Sequence, residues 1–115
     1  MDVQIFGVKN DAGTRKALRF FKERRIKAHF VDFGVKGPSR GELRRFVRQH
    51  GAEAVIDRDS KRFRALGLTT AHYGDERWLE IAVEEPLILR TPLVRRGDDV
   101  TVGVAEEAWK EWAAR

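Results

Sequence analysis

Val3-Gln4-Ile5-Phe6-Gly7-Val8-Lys9-Asn10-Asp11-Ala12-Gly13-Thr14-Arg15-Lys16-Ala17-Leu18 opens with β-formers that end at Gly7 and continues into a polar loop. From Thr14 to Arg25 the pattern changes: Leu18 and Phe21 stand three apart with basic residues between them, the spacing of an amphipathic helix. Working outward, Ile26 to Phe33 contains a second strand, His29-Phe30-Val31-Asp32-Phe33, closed by Gly34 and Gly37-Pro38. Strand, helix and strand in this order begin a βαβ unit.

Ser39 followed by Glu42 is a capping box, and Leu43, Phe46, Val47 and His50 continue at helical spacing to Gly51, which predicts a helix over about 40–50. The middle reads as helix in pieces: Ala54-Val55-Ile56, Ser60 to Leu66, and Asp75 to Glu85 with Trp78, Leu79, Ala82 and Val83 on one side, punctuated by Gly67 and Gly74. After Pro86, Leu93-Val94, a Gly97-Asp98-Asp99 turn and Val100-Thr101-Val102 read as a β-hairpin. Ala105 to Arg115 closes with a helix whose Trp109 and Trp112, three apart, are expected to pack against the sheet. The expected organisation is one domain over residues 1–115 with a helical insertion over about 40–85.

The hydrophobic residues, 42% of the chain, fall in short runs, and none approaches the ~20 residues of a membrane span. Met1 to Phe6 reads as the start of a strand and lacks the basic and apolar segments of a signal peptide, so a soluble cytoplasmic protein with no membrane partner is expected. The chain has no cysteine, which excludes disulfides and thiolate metal sites. His29, His50 and His72 have no paired spacing, so no metal site is expected.

Lys and Arg number 23 against 18 Asp and Glu, a formal charge of +5 that permits attraction to nucleic acid or acidic proteins. Two predicted helices are basic, through Arg15, Lys16, Arg19, Lys22, Arg24 and Arg25 and through Arg40, Arg44, Arg45 and Arg48. Phe20, Phe21 and Phe46 between them suit core positions better than base stacking, and no standard nucleic-acid motif is present. Solvated surface and ion pairs are the default reading, and direct nucleic-acid binding is not expected.

Three separated motifs carry a resemblance. Gly7-Val8-Lys9-Asn10 before Thr14-Arg15-Lys16-Ala17-Leu18 is similar to the first loop and helix of the arsenate reductases (ArsC), their relatives and the Spx transcriptional regulators. Asp59-Ser60-Lys61-Arg62-Phe63-Arg64-Ala65-Leu66, with Asp75-Glu76-Arg77-Trp78-Leu79 after it, resembles an Spx segment. Glu85-Pro86-Leu87-Ile88-Leu89-Arg90 before Pro92, then Val102-Gly103, resembles the family's carboxy-terminal signature. The resemblance spans nearly the whole chain and implies an α/β, thioredoxin-like three-layer fold: a four-stranded mixed sheet with a helical insertion.

The same resemblance places the family's reactive cysteine at Asp11 and the second cysteine of the two-cysteine regulators at Thr14. The thiol chemistry needs a thiolate, favoured by a helix N-terminus and nearby cations, and aspartate does not replace it. An Asp at a helix start is also a good N-cap; nucleophile and general base are its other readings. Thr91 stands where the reductases carry an arginine, with Arg90 one residue earlier, and Arg58 lies near another of their basic positions. Thr91-Pro92 corresponds to the proline that faces the reactive loop, where cis geometry is allowed. The implied ligand-binding set is therefore Asn10, Asp11, Thr14, Arg15, Arg58, Arg90, Thr91 and Pro92.

Two functions are expected from this reading. The first is a noncatalytic binding or regulatory protein that needs no cofactor and, by analogy with Spx, binds the carboxy-terminal domain of the RNA polymerase α subunit, with Gly51 near the comparable place. The alternative is a glutathione-dependent oxidoreductase or transferase, with residual reductase-like activity, in which glutathione supplies the thiol and Thr14 is the local hydroxyl to assist it.

Overall fold

Asp2–Gly7 forms strand β1, and its alternation sends Val3 and Ile5 to one side and Gln4 and Phe6 to the other, so both faces of the sheet must be covered. A computed structural model describes residues 2–115; Met1 lies outside them. After β1 come α1 (Ala12–Glu23), β2 (Lys27–Asp32), α2 (Arg40–His50), α3 (Ala52–Val55), α4 (Lys61–Ala65) and α5 (Asp75–Glu84). A single 3-10 turn at Pro86–Ile88 leads to β3 (Leu93–Arg96), β4 (Asp99–Val102) and α6 (Glu106–Ala114).

The sheet order is β2-β1-β3-β4. β1 and β2 are parallel, with Ile5 opposite Phe30, which requires a crossover that α1 supplies. β3 runs antiparallel to β1, with Ile5 opposite Val94, and β4 antiparallel to β3. One face carries α1 and α6, where Val3, Ile5, Phe21, Val94, Trp109 and Trp112 make one core. The other carries the helices between β2 and β3, where Phe6 and Leu93 meet Phe46, Phe63, Trp78 and Leu79. This is the expected three-layer, thioredoxin-like arrangement with its helical insertion. Both tryptophans of α6 are buried, and Trp109 Nε1 donates to Thr101 Oγ1 at 3.0 Å. Each large apolar side chain so buried contributes on the order of 2–3 kcal/mol.

Several boundaries differ from the expected ones for local reasons. α1 begins at Ala12, ahead of Thr14, because Asp11 is its N-cap. Its buried face is Thr14, Ala17, Phe20 and Phe21, and Leu18 sits at the margin. Parallel pairing with β1 extends β2 back to Lys27, while Phe33 follows its end. In the hairpin Asp99 pairs with Arg96, so the connection is only Gly97-Asp98, and Gly97 takes φ +59°, as the first position of a tight primed turn requires. The capping box at α2 is half made: Ser39 Oγ accepts from Glu42 N at 3.1 Å, but the Glu42 carboxylate turns to the Arg95 guanidinium of β3.

Candidate functional site

The β1–α1 loop, the first turn of α1 and the approach to β3 meet in one corner. Asp11 has extended backbone (φ −85°, ψ 127°), which aims its side chain back over the first turn of α1. Its Oδ2 accepts from Thr14 N at 2.9 Å, from Thr14 Oγ1 at 2.8 Å and from Thr91 Oγ1 at 3.0 Å. One carboxylate oxygen thus satisfies a helix-end amide and two hydroxyls, and it ties together residues eighty positions apart. The helix end adds its own partial positive charge.

The fit around this oxygen is close. Thr14 is fully buried, and a Cβ at Gly7 would stand 2.3 Å from its Oγ1, so the end of β1 has to be glycine for the threonine to pack there. A Cβ at Gly13 would stand 3.0 Å from Pro92 Cδ and 3.2 Å from Val104 Cγ2. The Thr91-Pro92 bond is cis, and Pro92 O accepts from Gly103 N at 2.8 Å, joining β3 to the end of β4.

The eight residues of the implied ligand-binding set do not form one cluster. Asp11, Thr14 and Thr91 are directly bonded, Pro92 packs beside them against Gly13, and Asn10 is exposed at the loop. Arg15 lies on the same first turn but donates to Lys9 O at 3.3 Å. Arg90 is occupied by the carbonyl oxygens of Ala54 at 3.3 Å and Ile56 at 3.5 Å, at the end of α3. Arg58 works inside the insertion: it holds Glu53 at 2.7 and 2.9 Å, donates to Ala71 O at 3.1 Å, and lies over the rings of Phe63 and Trp78. That hydrogen bond holds the Glu53 carboxyl below its ordinary range.

Thr14, the hydroxyl assigned to assist a bound thiol, has no exposed surface and donates inward to Asp11, so it does not face a ligand. Periodicity left this open because a threonine on a helix's first turn is compatible with either direction. Gly7 and Gly13 were missed as parts of the corner; their one sequence signal is that glycine recurs on both sides of Asp11. The Arg95 group was missed altogether. Its guanidinium binds the Glu42 carboxylate, Gln4 Oε1 at 2.8 Å and Gly97 O at 2.8 Å, joining α2 to the sheet. Among the described residues no group of three or more His, Asp or Glu is placed to hold a metal, and no helix is long and apolar enough to cross a membrane.

Comparison with known proteins agrees with the fold. A model of the ArsC family matches residues 6–112. YusI, an uncharacterized protein of Bacillus subtilis strain 168, is 25% identical over 104 residues, covering 86% of this chain and 88% of that protein. Among solved structures, the YffB protein superimposes with a TM-score of 0.85 at 24% identity, covering 95% of this chain and 96% of its own. An arsenate reductase from Vibrio cholerae has a TM-score of 0.82 at 21% identity, covering 96% and 97%. At these identities the structures share the fold.

Proposed function

This chain belongs to the ArsC family, and from that premise we propose that it is a noncatalytic binding protein whose former reactive corner serves as a structural clasp. One observation carries the reading: at the place of the family's cysteine, Asp11 Oδ2 already accepts three hydrogen bonds from its own chain, and the chain has no thiol elsewhere. A carboxylate held in this way is not the polarizable nucleophile that attacks arsenic or a disulfide. Its negative charge also stands where an arsenate oxyanion would enter, without the arginine that Thr91 replaces.

In this reading the chain is a cytoplasmic regulatory protein that acts by binding another protein. The Spx regulators, which the chain resembles, bind the carboxy-terminal domain of the RNA polymerase α subunit, and the same domain is the proposed partner here by that analogy; Gly51, near the comparable place, joins α2 to α3 at φ +81°, and the residues around it differ from that interface.

A two-dimensional NMR titration of the isotopically labelled protein tests both parts. Reduced glutathione and arsenate should leave Asp11 to Arg15 and Thr91 unmoved, while the α-subunit domain should shift signals around Gly51. Localised glutathione shifts at the corner, or arsenate turnover with glutathione present, would overturn the noncatalytic reading in favour of the glutathione-dependent one. Failure of the α-subunit domain to bind at high concentration would remove that partner alone.

A further inference from the structure

Residues 9–27 hold eight Lys and Arg against two acids, and the rest of the chain holds fifteen against sixteen. The net positive charge of the protein therefore sits on α1 and its two flanks. One of the two acids, Asp11, is turned inward by its bonds to Thr14 and Thr91.

The structure adds which of these cations are neutralised. Lys16 pairs with Glu106 of α6 at 2.8 Å, and Arg24 folds back over the Phe20 ring at 3.6 Å while donating to Phe20 O. Arg15, Arg19, Lys22 and Arg25 are exposed and have no acidic partner among the described residues. The pattern differs across the molecule, where Arg44, Arg58, Arg62, Arg95 and Arg115 each meet a carboxylate. Arg15, Arg19 and Lys22 are spaced by four and three, so they share one face of α1, opposite the buried Ala17, Phe20 and Phe21. Their like charges repel one another along that face, and among the described residues no ion pair within 4 Å offsets them.

We infer that the outward face of α1 docks an acidic α-helix of another protein. A partner helix with Asp or Glu at the same three- and four-residue spacing sets a carboxylate against each cation, and the arginine forks donate to carboxylates bidentately. The twelve residues of α1 make a helix about 18 Å long, matched by some three turns of a partner. Nucleic acid fits the ridge less well, because Phe20 and Phe21 are buried in the core and leave no ring on this face for a base to stack on. The surface meets the Asp11 corner only at Arg15, and Arg19 and Lys22, one and two turns further along, lie outside that corner.

The test uses the full chain and a fluorescein-labelled, alanine-based helical peptide with glutamates at three- and four-residue spacing, read by fluorescence anisotropy at low and at physiological salt. The double variant Arg19→Glu, Lys22→Glu should weaken binding by at least about tenfold. A control with the same change in charge elsewhere, Arg64→Glu, Lys110→Glu, should weaken it by no more than about twofold, with circular dichroism confirming that both fold. Equal losses in the two variants, no binding of the peptide, or tighter binding of a single-stranded oligonucleotide or of anionic lipid vesicles would each overturn the inference.

Discussion

The two basic helices, α1 and α2, are alike in sequence and opposite in circumstance. α2 lies over the insertion side of the sheet, where acids from distant segments reach it: Arg44 and Arg40 meet Glu76 of α5, and Arg45 meets Asp98 of the hairpin. Its Glu42 holds Arg95 of β3, and the His50 ring lies 2.9 Å from Val100 O. α1 lies on the other face and is fastened by apolar packing of Phe20 and Phe21 on Trp109, with the Asp11 clasp at its start. Count of charges does not reveal whether a basic helix is internally neutralised; the neighbours that the fold supplies decide it.

The largest expected effect tests how α1 is fastened. Phe21→Ala should lower stability by roughly 3–5 kcal/mol, because the ring is fully buried against Trp109 and Phe20. A loss below about 1 kcal/mol in urea denaturation would mean that apolar packing does not hold the helix.

The caps give the next contrast. Asp11→Ala leaves the buried Thr14 hydroxyl without its acceptor as well as removing the cap, and should cost about 2–3 kcal/mol, while Ser39→Ala at the start of α2 should cost about 1 kcal/mol. Asp11→Asn, which keeps an acceptor oxygen, should recover most of the loss. Equal costs at the two caps would contradict the role of the clasp.

Smaller effects separate the outward charges. Arg44→Ala should lower the urea midpoint slightly through loss of its exposed pair with Glu76, whereas Arg19→Ala should leave it unchanged or raise it slightly as repulsion from Arg15 and Lys22 is relieved. Added salt should shrink both differences; a clear loss of stability in the Arg19 variant would show that it has a partner within the chain.

The mildest expected effect is a response to acid. Hydrogen bonds from Arg44, Arg58 and Arg62 hold the carboxyls of Glu76, Glu53 and Glu85 below their ordinary range, and Lys16 does the same for Glu106. Each folded value lies below the unfolded one, so the stabilisation is complete above about pH 4.3 and fades as the pH falls through the lowered folded values. The insertion has three such carboxyls and α1 has one across its contact with α6, so amide protection should fall first in α2 and α5. Simultaneous loss in α1 would show that these pairs do not set the order.

Much of the fold was legible because its signals are local. Turn glycines, Ser39 at a cap and the apolar spacing of Phe46 with Val47 and of Trp78 with Leu79 need only neighbouring residues to be read. Errors arose where a local signal had a distant competitor: Glu42 was claimed by Arg95 and not by its own helix end, and β2 was lengthened by pairing with β1. The corner was legible as a position and not as a structure. Asp11 could be placed where a cysteine is expected, but the direction of Thr14 and the reach of Thr91 across the chain depend on how β3 is brought beside β1.

By itself the sequence determined the element order, the resemblance to ArsC and the absence of a thiol, since these follow from residue identity and short spacing. Only the tertiary structure decided that Asp11 is bound by its own chain, that Arg58 and Arg90 serve the insertion, and that Arg40, Arg44 and Arg45 of α2 meet carboxylates while Arg15, Arg19 and Lys22 of α1 face outward. Those outcomes depend on contacts between residues far apart in the chain, where hydrogen bonds and ion pairs act over a few ångströms and local periodicity has no bearing on which groups are brought within that range.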